Sequence, residues 1–111
     1  MLTADKDQIT SADKVIFPGG GAAGSARAHL RETGLDGVIR NLKQPTLGVC
    51  VGMQLMCAHS EENDTDCLGV FDLKVKRFQA QHGEKVPHMG WNTIQLNEGQ
   101  DWLSPQLDGE Y

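Results

Sequence analysis

The sequence predicts an α/β fold, and three observations carry that prediction. Short β-type apolar runs alternate with helix-prone stretches between Lys14 and His59, in the order β-α-β-α. Glycine-rich turns close two of the β-type runs, at Pro18 to Gly21 and at Gly48 to Gly52. Leu35, Val38, Ile39 and Leu42 recur at i, i+3, i+4 and i+7, which places an amphipathic helix between the two runs. A helical crossover of this kind joins parallel strands, so a parallel sheet covered by helices is expected.

Met1 to Ala12 is polar and reads as a loop or linker. Lys14-Val15-Ile16-Phe17 is a strand, stopped by Pro18 and a run of three glycines. Ala22 to Arg31 is alanine-rich and helix-prone. Gln44-Pro45 ends the amphipathic helix, Thr46 to Val49 forms the next strand, and Met53 to His59 the next helix. Ser60 to Asp66 is acidic and turn-like, Lys74 to Phe78 and Trp91 to Leu96 read as strands, and Gln81 to Gly90 is a loop between them. The tail, Asn97 to Tyr111, is irregular. Neither an internal repeat nor a low-complexity tract interrupts the chain, and 111 residues bound it to a single domain.

Composition narrows the function. A net charge of -5 and the lack of a basic stripe argue against nucleic acid as a partner. The strongest basic cluster, Lys74-Val75-Lys76-Arg77, reads as a solvated strand face. No apolar run approaches the ~18 residues of a membrane span, and Met1 to Thr10 carries no signal-peptide core. A cytoplasmic protein without a membrane partner is expected. The three cysteines form no C-x-x-C pair and the histidines offer no zinc spacing, so no metal or cofactor is expected. Cys57 reads as a small core residue and Cys67 as an incidental residue of the acidic loop.

Cys50 is the candidate nucleophile. It stands in Gly48-Val49-Cys50-Val51-Gly52, where a strand meets a helix, and small neighbours allow a tight turn and close substrate approach. A helix N-terminus aimed at a thiol favours its thiolate. The competing reading is a buried structural cysteine. Phe17-Pro18-Gly19-Gly20-Gly21 also joins a strand to a helix, and its backbone N–H groups suit a phosphate cradle, an oxyanion hole, or nothing more than a tight turn. No Gly-Lys-Ser/Thr follows it; Gly19, Gly21 and Gly24 match G-x-G-x-x-G spacing, but no matching acidic residue closes the unit. Both loops end neighbouring strands, where parallel sheets bind ligands, so nucleophile and oxyanion donors would face one crevice. For a base, His29 and His59 read as helix-surface residues, His82 lies in a polar loop, and His88 has the most organised surroundings. None is followed by a nearby carboxylate placed to orient it.

Pro18-Gly19-Gly20-Gly21 together with Gly48-Val49-Cys50-Val51-Gly52-Met53-Gln54 resembles the class I, triad-type glutamine amidotransferases. Pro87-His88-Met89-Gly90-Trp91-Asn92 narrows the likeness to the branch serving imidazole glycerol phosphate synthesis in histidine biosynthesis. The resemblance runs from about Ser11 to Leu96 and implies a flavodoxin-like, three-layer α/β/α fold. It implies a glutaminase that passes ammonia to a (β/α)₈-barrel cyclase. Cys50 would be the nucleophile. Gly20 and Val51 would supply oxyanion N–H groups, and Gly21, Gln54 and Glu62 would hold glutamine. His88, Met89, Trp91 and Asn92 would face the cyclase. Many family members carry Val where this chain has Gly20.

The family's F-H-P-E-like element, with its catalytic His and Glu, does not occur in these 111 residues, nor does the family's first strand and helix. The chain is therefore expected to be a partial domain holding the nucleophile half of the site. Little glutaminase activity is expected of it, and self-association through exposed sheet edges. Two alternatives stand: an amidotransferase of the anthranilate, guanylate or carbamoyl phosphate pathways, and a non-catalytic binding module on the same scaffold.

Overall fold

A computed structural model describes residues 1–110. The chain divides into two compact units, Met1–Arg77 and Phe78–Tyr111, the last residue lying outside the described ones.

The first unit is mixed α/β. It opens with a helix where the polar sequence predicts a loop: α1 spans Lys6–Ser11. Asp5 caps it, its carboxylate accepting the Gln8 N–H at 2.8 Å, and Ile9 packs against the core. That cap satisfies one of the orphan donors of a short helix. Strand β1 (Val15–Phe17) follows, then α2 (Ala23–Thr33). Gly34, at φ 71, ends α2 in the left-handed region and starts α3 (Leu35–Arg40). Strand β2 (Thr46–Gly48) then pairs parallel with β1 in the register Val15–Thr46, Ile16–Leu47, Phe17–Gly48. The expected β-α-β crossover is present, built with two helices.

Helix α4 spans Val51–Met56. It begins two residues before the expected Met53 and stops before His59. The chain leaves helical geometry at Cys57, at φ -72 and ψ 176. Ala58 N–H then donates to the Leu73 carbonyl at 2.9 Å, which draws the backbone into strand β3 (His59–Ser60). His59 is thus a strand residue. A 3₁₀ turn (Glu62–Asp64) leads to β4 (Thr65–Asp66), antiparallel to β3, and β5 (Lys74–Val75) pairs parallel with β3. The acidic segment is therefore an ordered hairpin. The expected strand from Lys74 is cut to two residues.

The core gathers Leu30, Leu35, Ile39, Val51, Leu55, Cys67 and Leu68, with Phe17 packed against it. Cys67 is a core residue, not an incidental one: it is 8% exposed, and burial pushes its thiol pKa up. Strand alternation turns Ile16 and Leu47 to the opposite face, where they are 67% and 47% exposed. Arg27 ties three elements: its guanidinium meets Asp36 of α3 at 3.3 Å and the Asp66 carbonyl of β4 at 3.2 Å.

The second unit contains one regular element among its described residues, a 3₁₀ turn at Pro105–Leu107 capped by Ser104. The strand expected over Trp91 to Leu96 is not formed. Ile94 N–H donates to the Glu110 carbonyl and Gly109 N–H to the Ile94 carbonyl, but Leu96 N–H goes to the Asp108 carboxylate, so no ladder propagates. The Gln81 to Gly90 loop is as expected; within it the Glu84 carboxylate accepts the His82 and Gln81 N–H groups, which lowers its pKa.

Candidate active site

Cys50 joins β2 to α4 in a conformation that glycine normally supplies. Its φ is 54 and its ψ is -122, and Gly52 N–H donates to the Val49 carbonyl at 3.0 Å. This is a tight turn with a non-glycine residue at its positive-φ corner, a strain of about 1–3 kcal/mol. Two features over-determine it. Val49 N–H is held by the Phe17 carbonyl at 3.0 Å, and Gln54 N–H by the Cys50 carbonyl at 3.1 Å. Strand pairing and helix start thus fix the turn from both sides, and the thiol is left exposed.

The two glycine loops interlock. A Cβ on Gly52 would fall on the Phe17 carbonyl, and one on Gly19 would come within 2.8 Å of the Gly52 nitrogen. Backbone therefore packs directly on backbone, which only residues without side chains permit. Beyond this contact Gly20 and Gly21 have open space around them, and Gly21 turns the chain at φ 80.

The far end of the loop is held as well. Ala22 at the start of α2 makes no side-chain cap. The hairpin supplies one from a distance: Glu62 Oε2 accepts the Ala23 N–H at 3.2 Å, and Asn63 Oδ1 the Gly24 N–H at 3.3 Å. A Cβ on Gly24 would lie 3.1 Å from the Asn63 Cβ, so the third glycine of the sequence pattern serves this contact. Asn63 itself sits at φ 56, a region Asn tolerates. Gly20 and Gly21 thus span two fixed points, the Val51–Gly52 turn and the capped start of α2.

Gln54 lies one helical turn after Cys50, on the same side of α4. Its Oε1 accepts the Ser60 hydroxyl at 3.3 Å, and Ser60 Oγ accepts the Glu62 N–H at 3.2 Å. Ser60 is wholly buried. Sequence reasoning missed it, because an isolated serine carries no periodic or motif signal. Asn63 was missed too; its only signal was its place in the Ser60 to Asp66 turn. In the first unit hydrogen bonds thus link Gln54 of α4 through Ser60 to Glu62 of the hairpin and on to Ala23 of α2, while backbone packing sets Gly19 against the Val51–Gly52 turn that follows Cys50.

Two histidines do have carboxylate partners. His59 Nδ1 lies 3.0 Å from Asp66 and its Nε2 3.2 Å from Asp64, and His82 lies 3.5 Å from Glu84. Spacing along the chain hid the first pair, because the hairpin brings Asp66 back beside β3. His59 spends both ring nitrogens on the Asp64 and Asp66 carboxylates and is not hydrogen-bonded to the Cys50 thiol. His29 lies exposed on α2 as expected. Among the described residues no group of three or more His, Cys, Asp and Glu is placed to hold a metal ion. None of their helices is long and apolar enough to cross a membrane. His88, Met89, Trp91 and Asn92 all belong to the second unit, where Met89 and Trp91 are 86% and 90% exposed.

A profile of the SNO glutamine amidotransferase family matches residues 1–90. Among curated relatives, the chain is 63% identical over 95 residues to the imidazole glycerol phosphate synthase subunit HisH of Bacteroides thetaiotaomicron, covering 85% of this chain and 48% of that one. It is 48% identical over 95 residues to the same-named subunit of Idiomarina loihiensis, with 86% and 48% covered. It is 46% identical over 105 residues to that of Neisseria meningitidis, with 87% and 50% covered. The chain spans about half the length of the curated relatives it matches. With a strained Cys50 between interlocked glycine loops and a family match over residues 1–90, the chain belongs to the SNO glutamine amidotransferase family.

Proposed function

We propose that this chain carries the nucleophile and substrate-recognition half of a glutaminase that serves imidazole glycerol phosphate synthesis. The observation that carries the reading is the Cys50 turn, strained and clamped against the Pro18–Gly21 loop. Strain of this kind is retained where surrounding structure is built to present a side chain. Relatives named as HisH subunits support the pathway.

In the proposed reaction the Cys50 sulfur attacks the side-chain amide carbon of glutamine. The C=O electron pair moves to oxygen, giving a tetrahedral oxyanion. Val51 begins α4, where the first N–H groups of a helix lack intrahelical acceptors, and it is paired here with the unobstructed Gly20 as the oxyanion donors. Collapse expels the amide nitrogen, which takes a proton and leaves as ammonia. A thioester on Cys50 remains, and water cleaves it to glutamate. Gly21, Gln54 and Glu62 hold the amino-acid end of the substrate, Glu62 meeting its ammonium group.

The proton transfers need a base, and His59, the first unit's histidine with carboxylate partners, is not hydrogen-bonded to the Cys50 thiol. General base catalysis is typically worth ~10²–10⁴-fold, so the 111-residue chain is expected to bind and be alkylated but to turn over poorly. The exposed Ile16 and Leu47 face supports a sheet with helices on both sides, the flavodoxin-like arrangement. His88, Met89, Trp91 and Asn92 are assigned to the contact with a barrel cyclase that uses the ammonia.

The test is labelling with a diazoketone analogue of glutamine, read by peptide mass spectrometry. Cys50 is exposed while Cys57 and Cys67 are buried, so Cys50 alone should be modified, and excess L-glutamine should protect it. Equal modification of all three cysteines, or no protection, overturns the reading in favour of a non-catalytic scaffold. A glutaminase assay with and without a cyclase then measures the turnover of the 111-residue chain.

A further inference from the structure

The geometry assigns Ser60 as a positioning residue for glutamine recognition, a role that rests on the reading of Gln54 and Glu62 as substrate contacts. The Glu62 backbone N–H can only donate, so Ser60 Oγ, 3.2 Å away, must accept from it. The hydroxyl proton is then available for one other acceptor, and Ser60 is fully shielded from water. Gln54 Oε1, at 3.3 Å, is that acceptor. If the Gln54 carboxamide were turned over, two N–H donors would face Ser60 and its own proton would be buried without a partner, at a cost of about 1–3 kcal/mol. Burial therefore selects one orientation of Gln54, in which its NH₂ group points away from Ser60.

The same oxygen sets Glu62. With its N–H held by Ser60 and its carbonyl accepting the buried Thr65 hydroxyl at 2.8 Å, the Glu62 backbone has no freedom to rotate. Its carboxylate spends Oε2 on the Ala23 N–H, which leaves Oε1 as the oxygen for a ligand's ammonium group. One hydroxyl thus presents a donor from Gln54 and an acceptor from Glu62. An α-amino acid carries the complement of that pair, a carboxylate beside an ammonium. Ser60 acts through these two residues without touching the substrate.

The experiment compares inactivation of Cys50 by the diazoketone glutamine analogue in the 111-residue chain and in Ser60→Ala, Ser60→Thr, Gln54→Ala and Glu62→Gln, separating KI from the limiting rate kinact. Iodoacetamide modification of buried Cys57 and Cys67 monitors the fold in each. Ser60→Ala is expected to raise KI about tenfold, the scale of one or two lost hydrogen bonds, with kinact changed less than about threefold. Ser60→Thr keeps the hydroxyl and is expected to recover most of that loss. If Gln54→Ala and Glu62→Gln raise KI while a folded Ser60→Ala does not, the assignment of Ser60 is overturned and the substrate contacts stand. If none of the three moves KI, the substrate contacts fail and this assignment with them. Should Ser60→Ala expose Cys57 and Cys67, Ser60→Cys, which changes a single heavy atom and weakens both hydrogen bonds, replaces it. An unchanged KI in that folded variant overturns the assignment equally.

Discussion

Gly52→Ala tests the contact on which the site geometry depends. At most helical positions this substitution stabilises by about 0.8–1 kcal/mol, because alanine forms helix better than glycine. Here the added methyl falls on the Phe17 carbonyl and lies 3.1 Å from the Pro18 carbonyl. Both obstacles are backbone, so no rotamer change relieves them. Either α4 or the end of β1 must shift, and overpacking of this kind costs about 1–3 kcal/mol. The Phe17 carbonyl also accepts the Val49 N–H at 3.0 Å, and moving it forfeits about 0.5–1.5 kcal/mol more. After the helix-propensity gain, a net loss of about 1–3 kcal/mol is expected. Gly20→Ala is the control: a Cβ there meets nothing within 4 Å, so its stability should stay within about 0.5 kcal/mol. Urea unfolding followed by tryptophan fluorescence and far-UV circular dichroism gives both midpoints, at equal m. A Gly52→Ala midpoint equal to that of the parent chain would refute the backbone-on-backbone packing of the two loops.

Three further outcomes are expected. Asn63→Ala removes the Gly24 cap and forces alanine to φ 56, whereas Asn63→Gly removes the cap alone; the Gly variant should be the more stable of the two by about 1 kcal/mol in urea titrations. The Asp36 pKa lies below its ordinary 3.8, chiefly through the Gly37 N–H and with help from Arg27. A depressed carboxylate pKa favours the native state above 3.8, and that contribution disappears as pH falls through the folded value. Asp36→Asn should therefore lower the midpoint at pH 7 and leave the difference between variants smaller below pH 3.8. Cys67, whose thiol is pushed upward by burial, should resist iodoacetamide at pH 8 until urea opens the core, and early modification there would contradict its burial.

The first β-α-β unit was legible because its signals are local. Val15 to Phe17 and Thr46 to Gly48 are apolar runs with glycine or proline at their ends, and Leu35 and Ile39 recur at helical spacing. Helix α1 was hidden because one partly buried residue, Ile9, gives no periodicity. An Asp5-x-x-Gln8 capping pattern was the signal that could have found it. Strands β3, β4 and β5 have two residues each, too short for alternation to register, and they exist only by pairing with one another. Trp91 to Leu96 shows the converse: β-type composition without a ladder to join stays irregular. At the site, Cys50 and the glycines were readable from type and spacing. Ser60 and Asn63 were not, because their roles come from donors that the fold, not the sequence, places beside them.

A Cβ on Gly20 or Gly21 would meet nothing within 4 Å, yet the link they form begins at a backbone clamp on the Val51–Gly52 turn and ends at N–H groups held by Glu62 and Asn63. Glu62 is also the residue assigned to the substrate's ammonium group. A ligand that draws on the Glu62 carboxylate therefore acts on the cap of α2, and through it on the loop that would supply the oxyanion donor. Substrate recognition and oxyanion stabilisation share a carboxylate, so they cannot vary independently. Glu62→Gln keeps an oxygen for the Ala23 N–H but loses the charge for an ammonium group, whereas Glu62→Ala loses both. If the coupling is real, Glu62→Gln raises KI for the glutamine analogue and Glu62→Ala lowers kinact as well, by about tenfold for one misplaced donor. Equal kinact in the two variants would show that the loop is set by Gly19 and the Cys50 turn alone.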